Sequence, residues 1–398
     1  MTERKSFKHL VRSRMARTGE SYSTARRRLL GEQAVRTGGG TQHESALLRN
    51  VLGGRASEPM LAGLAGGIGF MYFVFEYAGH HPTMTIVSRH HPDPYIPAAL
   101  RRAGIEHTTT RTTSARKAEA GLREALAGGP VICVVDRAKL PWHGLTGQWG
   151  PEPHSVGVLG IDGGTVLLDD ECVRPNPLPL ADFLAAWSSK HEMTTVGAGW
   201  RPDVEDAIGT TCAHLTGPVL GNNFDVNFGF SGMRKLAAQL RDPKGKQGWA
   251  RRYADPGALF FALRRLHDCL EVEHGGPSAT RPLYADFLRE VGRPGAAELF
   301  DASGALWSEV AARAVSATPA LAEYDDLVTE RLRLLLHEGA AGADAIRALT
   351  GRVDALEARM IADPPRAEAV RELFDRLADD VDSARVLEER AVELLAGR

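Results

Sequence analysis

Near residue 205 the hydrophobic pattern of this chain changes period, and that change limits the fold more than any other feature. From 41 to about 200, short apolar runs alternate with short helical stretches; beyond 205, spacings of three and four residues dominate. Residues 70–77 and 83–88 are β-rich. Residues 131–136 form the short continuous apolar run expected of a buried strand. Residues 154–161 and 165–169 flank Asp162-Gly163-Gly164, a hairpin signal. Between these runs lie helical stretches at 97–103, 115–127 and 180–188. A further short helix opens at Ser57, a good N-cap, with Pro59 in its first turn. The first part therefore predicts an α/β (α+β) domain, its sheet mixed or mostly antiparallel with helices packed on it. The second part predicts an all-helical domain with helices at 232–240, 256–271, 284–291, 305–314, 321–337, 343–361 and 366–395. No strict heptad persists, so it reads as a bundle. The expected division is a basic helical extension over 1–36, the α/β domain over 37–204 and the helical domain over 205–398.

Composition removes several classes. The longest strongly apolar run, 68–75, is too short to cross a bilayer. The start of the chain is charged and shows no signal-peptide pattern. Cys133, Cys172, Cys212 and Cys269 form no CxxC pair and read as reduced thiols, so a cytoplasmic protein is expected. A net charge of −2 argues against a nucleic-acid binder overall. Residues 1–30 do carry nine Lys/Arg against two acids. The reading preferred for that arm is a solvated helix packed on the acidic C-terminal stretch. Self-association, if it occurs, is expected through the C-terminal helices.

Residues 38–52 are the most site-like segment. Three glycines, Gly38 to Gly40, precede an abrupt helix start at which Thr41 and Glu44 have capping-box spacing. A helix N-terminus offers free N–H groups and a positive dipole end, a common seat for a nucleophile. The first turn here holds His43 and Ser45 and no cysteine. The dipole should disfavour a cationic His43, leaving it neutral as a base or ligand. His154 opens one strand of the hairpin, and Asp169 and Asp170 end its neighbour, so an imidazole and a carboxylate can meet side by side as a general base. Gly63 to Gly69 lacks the Lys-Ser/Thr of a phosphate loop and reads as close backbone approach. The loop with His90 and His91 is expected to line a pocket, and Asp136-Arg137 stands at a strand end where a cleft can form. Asn222 to Gly229 could rim a ligand site. Gly275 to Tyr284 reads as a connecting loop, with an anion site at its helix start as the alternative. His43 and Glu44 are neighbours on a helix and diverge by about 100°. No metal centre and no cofactor are expected.

Several blocks together resemble the butirosin biosynthesis protein H family: His43-Glu44-Ser45 through Arg49-Asn50, Ser57 to Leu61 with Gly63 to Phe75, and His154 to Val158 with Gly160-Ile161-Asp162. Asn227 to Ala237, Gly248-Trp249 and Arg281 to Leu288 resemble the helical domain often fused behind it. The resemblance covers roughly residues 40 to 310. It implies a papain-like or double-glycine-peptidase-like N-terminal domain. It also implies transfer of an aminoacyl group from a carrier-protein thioester to an amine by a Cys–His–Asp site. His154 matches the family histidine and Asp170, or Asp169, the orienting acid. The family's His-Cys pair falls at Gln42 and His43, so the thiol is missing. The resulting expectation is an acyl-transfer protein of a specialised-metabolite pathway with His43, Ser45, His154 and Asp170 at its site. Gln42, Glu44, His90, Asp136, Arg137 and Trp142 are expected to bind substrate. The expected partners are a small-molecule amine or peptide and an acyl carrier protein. Two alternatives stand beside it: a non-catalytic descendant that binds ligand in the same cleft, and a metal-dependent enzyme using His43, Glu44 and His154.

Overall fold

The computed structural model describes residues 37–145, 150–273 and 275–397, so the basic extension over 1–36 lies outside the described residues. The N-terminal half is a mixed α/β region. Helices α1 (His43–Val51) and α2 (Glu58–Leu64) lead into an antiparallel pair, β1 (Ile68–Phe75) and β2 (Thr83–Arg89). After α3 (Tyr95–Arg102), β3 (His107–Thr110) and α4 (Ala115–Ala125) comes the rest of a six-stranded sheet. Its strands are β4 (Val131–Asp136), β5 (Pro153–Asp162), β6 (Thr165–Asp169), β7 (Asn176–Pro179) and β8 (Met193–Val196), with α5 (Leu180–Ala186) between the last two. The order is β3-β8-β4-β5-β6-β7 and every pairing is antiparallel.

From Val204 onward the described chain is helical: α6 (Val204–Thr216), α7 (Gly229–Arg241), α8 (Trp249–Arg252), α9 (Pro256–Glu271), α10 (Arg281–Glu290), α11 (Pro294–Val315), α12 (Pro319–His337), α13 (Ala343–Thr350), α14 (Val353–Ala362) and α15 (Ala367–Leu395). The helix expected over 343–361 is broken at Gly351-Arg352, which lies between α13 and α14. No helix among the described residues is long and apolar enough to cross a membrane.

Two cores hold the molecule. The smaller lies on the six-stranded sheet, where Val131, Cys133, Val156, Val166 and Leu168 meet Trp142 and Phe183; Leu335 and Ile346 of the helical region close it. The larger joins Leu47, Leu64, Phe70 and Ile86 to Leu236, Leu263, Trp307 and Val381. One apolar core thus runs across residue 204. The glycines of α2 and the turn after it serve this contact: a Cβ at Gly63 would overlap the Phe287 ring, and Gly67, at φ +64, lies against Tyr284. Close approach is the role the sequence assigned them.

Candidate functional site

The site forms where the N-terminus of α1 meets the ends of β5 and β6. Helix α1 is capped by Gln42, whose Oε1 accepts from Ser45 N at 2.7 Å. The expected Thr41–Glu44 capping box does not form. The carboxylate of Glu58, arriving from α2, takes the N–H groups of Thr41 and Gln42 at 2.7 and 2.8 Å and leaves Thr41 no capping task. Glu44 turns instead to Gln42 Nε2 and Arg89. Arg49 and Asn50, one helical turn on, donate to the carbonyl of Gly38. Gly38 has φ +51, and a Cβ there would collide with the backbone of Glu171 and Cys172. The glycine hinge is therefore packed directly on the segment that follows β6.

His154 pairs with Val135 of β4, and Gly157 with Asp169 of β6. Asp170, one residue past β6, thereby comes beside His154. His154 Nε2 lies 2.7 Å from Asp170 Oδ1. Asp170 is fully buried and holds two more donors on Oδ2: Trp142 Nε1 at 2.7 Å and His143 Nε2 at 2.9 Å. His43, the first residue of α1, places Nε2 2.6 Å from Ser155 O. Its ring stacks on that of His154, with centroids 4.3 Å apart and planes 13° from parallel.

These partners fix the tautomers. A carbonyl and an ionised carboxylate can only accept, so His43 Nε2 and His154 Nε2 both carry hydrogen. Each neutral ring then keeps its lone pair on Nδ1. Burial opposes the charge on Asp170, but His154 and His143 outweigh it and hold the carboxyl well below its ordinary range. Burial lowers His154, and the neighbouring His43 and His143 add to this against the pull of Asp170. His43 goes the other way. Burial opposes its charge, but Glu171, Asp170, the Ser155 carbonyl and Glu44 raise it. The neutral His43 expected from the helix dipole is corrected: the acidic neighbours favour the cation. His43 is thus the more basic ring of the stack and His154 the less basic one.

His43, His154, Asp170 and Glu171 each bring one ligand atom to within 4.8 Å of the others. The stack does not suit a shared metal, because imidazole lone pairs lie in the ring plane. Two nearly parallel rings, one on the other, cannot both aim at one ion. Glu44, in the metal alternative, points to Gln42 and Arg89.

The other expected residues fall in several places. Ser45 is fully buried, and its hydroxyl donates to Gln42 O at 3.0 Å and faces Glu58 Oε1 at 3.4 Å. It is spent on the helix start, and its hydrogen bonds do not reach His154. Cys133 pairs with Val156 inside the sheet, fully buried, and burial pushes its thiol up. Trp142 is buried and holds Asp170 with its indole N–H, which removes it from a substrate-facing surface. His90 contacts Asp93 and the ring of His214. Asp136 caps the turn after β4, bonding Ala138 N and Glu152 N. Arg137 pairs with Glu152, and the charge of Glu171 reaches it. Near the helical bundle, Asn222 to Asn227 form a capped turn with Phe224 exposed against Phe73. In the 275–281 loop, Ser278 N bonds Glu271, Gly276 N bonds Thr280 Oγ1, and Arg281 is buried on Glu388, so these polar groups are used within the fold. His143 is the site residue that sequence reasoning passed over. Its only signal is a Trp-His pair in the loop between two strands.

Asp169, the alternative orienting acid, does not meet His154. It accepts from Gly38 N at 2.8 Å and Asn50 Nδ2 at 3.1 Å. Burial raises its carboxyl to about 6, against those two bonds. A raised folded pKa means that the native state holds the proton more tightly. The associated stability is full below about pH 4 and is lost as pH rises through about 6. Asp169→Asn keeps an acceptor for Gly38 without titrating. Between pH 4 and 7 the variant should gain up to about 3 kcal/mol relative to the parent in urea unfolding. Parallel stability–pH curves would refute this assignment.

Residues 42–171, about a third of the 398-residue chain, match the family model described as Butirosin biosynthesis protein H, N-terminal. No curated protein matches the chain. The matched segment runs from the cap of α1 to the residue after Asp170 and so contains His43, His143, His154 and Asp170. Residues 42–171 are thus similar to the butirosin biosynthesis protein H N-terminal family.

Proposed function

We propose that the protein transfers an acyl or aminoacyl group from a thioester to an amine, by general-base catalysis without a thiol nucleophile. The family match supports a biosynthetic-pathway protein, and a papain-like arrangement of the N-terminal region is part of this reading. The observation that carries it is the 2.7 Å His154–Asp170 pair, with His154 Nδ1 left as a lone pair beside the His43 ring. The bound amine attacks the thioester carbonyl and forms the C–N bond. His154 Nδ1 takes the proton from the attacking nitrogen. The C–S bond then breaks, and the departing sulfur receives a proton from the histidine pair. Thioester and amine become amide and thiol, and no atom is left on the enzyme. His43, favoured as a cation, supplies an N–H to the oxygen that gains negative charge. Gln42 is spent on the helix cap, which leaves Glu44 and Arg137 as the substrate-binding side chains of this reading. The donor is a carrier-type thioester and the acceptor a small amine or peptide. Four free cysteines accord with a cytoplasmic setting.

His154→Ala should lower transfer from an aminoacyl N-acetylcysteamine thioester to a primary amine by about 10²–10⁴-fold. Unchanged turnover would end the proposal. The second reading, a non-catalytic binder, draws on the burial of Ser45 and Cys133 away from His154. It is favoured if calorimetric binding of the amine survives loss of both His43 and His154 while no turnover is detected.

A further inference from the structure

We propose that His143 is a positioning residue that acts on His154 through Asp170, as the second imidazole donor on the same carboxylate. The proposal rests on His154 as the base. His143 ends the Pro141–His143 turn and is almost fully buried. Its Nε2 donates to Asp170 Oδ2 at 2.9 Å while His154 donates to Oδ1 at 2.7 Å, and the two rings meet edge to face, centroids 5.1 Å apart. A carboxylate gripped on both oxygens cannot rotate, so the direction it gives His154 is set from the opposite side. The negative charge is divided as well: each N–H on Oδ2 leaves less of it for His154.

The helical region holds this arrangement from outside. Asn176 donates to Asp170 O at 3.1 Å and accepts from Ala340 N at 2.8 Å. Val173 N donates to Leu336 O at 2.9 Å, and Ile346 and Thr350 of α13 pack on Gly144, next to His143. The segment 336–350 therefore supports both the loop carrying Asp170 and the turn carrying His143.

The charged and titratable groups around the His43–His154 stack are Glu44 on α1, Asp169 and Asp170 at the end of β6, Glu171, and His143. For His154, His43 and His143 disfavour the cation and Asp170 favours it. Removing His143 therefore moves His154 upward by two routes, a lost neighbouring imidazole and a more basic Asp170.

The experiment compares His143→Phe, which keeps a ring without the donor, with His143→Gln, which restores an N–H. The His154 imidazole is followed by nitrogen-15 NMR, its signal assigned by its loss in His154→Ala. Expected for His143→Phe is an upward shift of the His154 titration by about one pH unit. The acid limb of kcat/KM should move with it, kcat at pH 7 should fall about tenfold to a hundredfold, and KM should change little. His143→Gln should recover most of kcat. Near-UV circular dichroism and Tm identify a folded variant. A folded His143→Phe protein with an unmoved His154 titration overturns the proposal. If the parent shows no turnover, the transfer reading fails, while the NMR titration still decides the role of His143.

Discussion

Glu388→Ala is expected to destabilise the fold by about 3–5 kcal/mol, a large part of the total stability of an ordinary domain. Glu388 of α15 and Arg281 of α10 are both fully buried, and the pair is bidentate, Nε to Oε1 at 2.8 Å and Nη2 to Oε2 at 3.0 Å. Glu388 Oε1 also accepts from Ser303 at 2.6 Å and Trp307 at 3.0 Å. Arg281 Nη1 donates to Ser88 O and Ala279 O. Removing the carboxylate strands a guanidinium and an indole N–H in the apolar core. The cost comes from that unpaired charge, not from the worth of the pair. The double variant Arg281→Met/Glu388→Leu, with neither charge, should therefore recover most of the loss. Urea unfolding measures both. A single variant within 1 kcal/mol of the parent, or a double variant no better than the single, would contradict this account. The effect should extend to the site, because Ser88 belongs to β2 and Gly276 of the loop before Arg281 packs on Thr41.

Where the chain's own pattern decided structure, the sequence was readable. The β4 run, the β5–β6 hairpin and the Ser57 cap, with Met60 N on Ser57 Oγ at 3.1 Å, stand where local chemistry put them. Three strands escaped notice for a common reason. His107–Thr110, Asn176–Pro179 and Met193–Val196 are four residues each, two of them threonine-rich and one holding two prolines. β3 and β7 are the edge strands of the sheet, where a solvated polar side and proline are tolerated, so their identity comes from their partners. The helix start at residue 43 makes the same point. Its local signal favoured Thr41, and a carboxylate from Glu58 redirected the cap to Gln42. The His154–Asp170 pair was legible because the hairpin turn fixes register. His143 was not, because it joins Asp170 across 27 residues through a turn without periodicity.

Asp170→Asn should combine the second large effect on stability with the largest on chemistry. Asp170 receives three side-chain N–H groups in full burial, and an asparagine amide offers one oxygen and one NH₂ group. If the oxygen faces Trp142 and His143, the NH₂ group confronts His154; if it faces His154, two donors lose their acceptor. Each buried group left unsatisfied costs about 1–3 kcal/mol. The depressed carboxyl of Asp170 contributes stability above its ordinary range of about pH 4, lost as pH falls through the still lower folded value. The gap between parent and variant should therefore be widest at neutral pH and narrow in acid. The first orientation also lets His154 escape the clash by moving its hydrogen to Nδ1. Nε2 then accepts from the amide, and Nδ1 becomes a donor. A base with its lone pair turned away cannot take a proton from the amine. Transfer should fall about 10³–10⁴-fold, comparable to the loss when an amide replaces the orienting carboxylate of a catalytic triad. Nitrogen-15 shifts of His154 report the tautomer directly. A variant with a protonated Nδ1 and lost turnover fits this geometry, whereas retention of turnover within threefold would show that Asp170 does not direct the histidine.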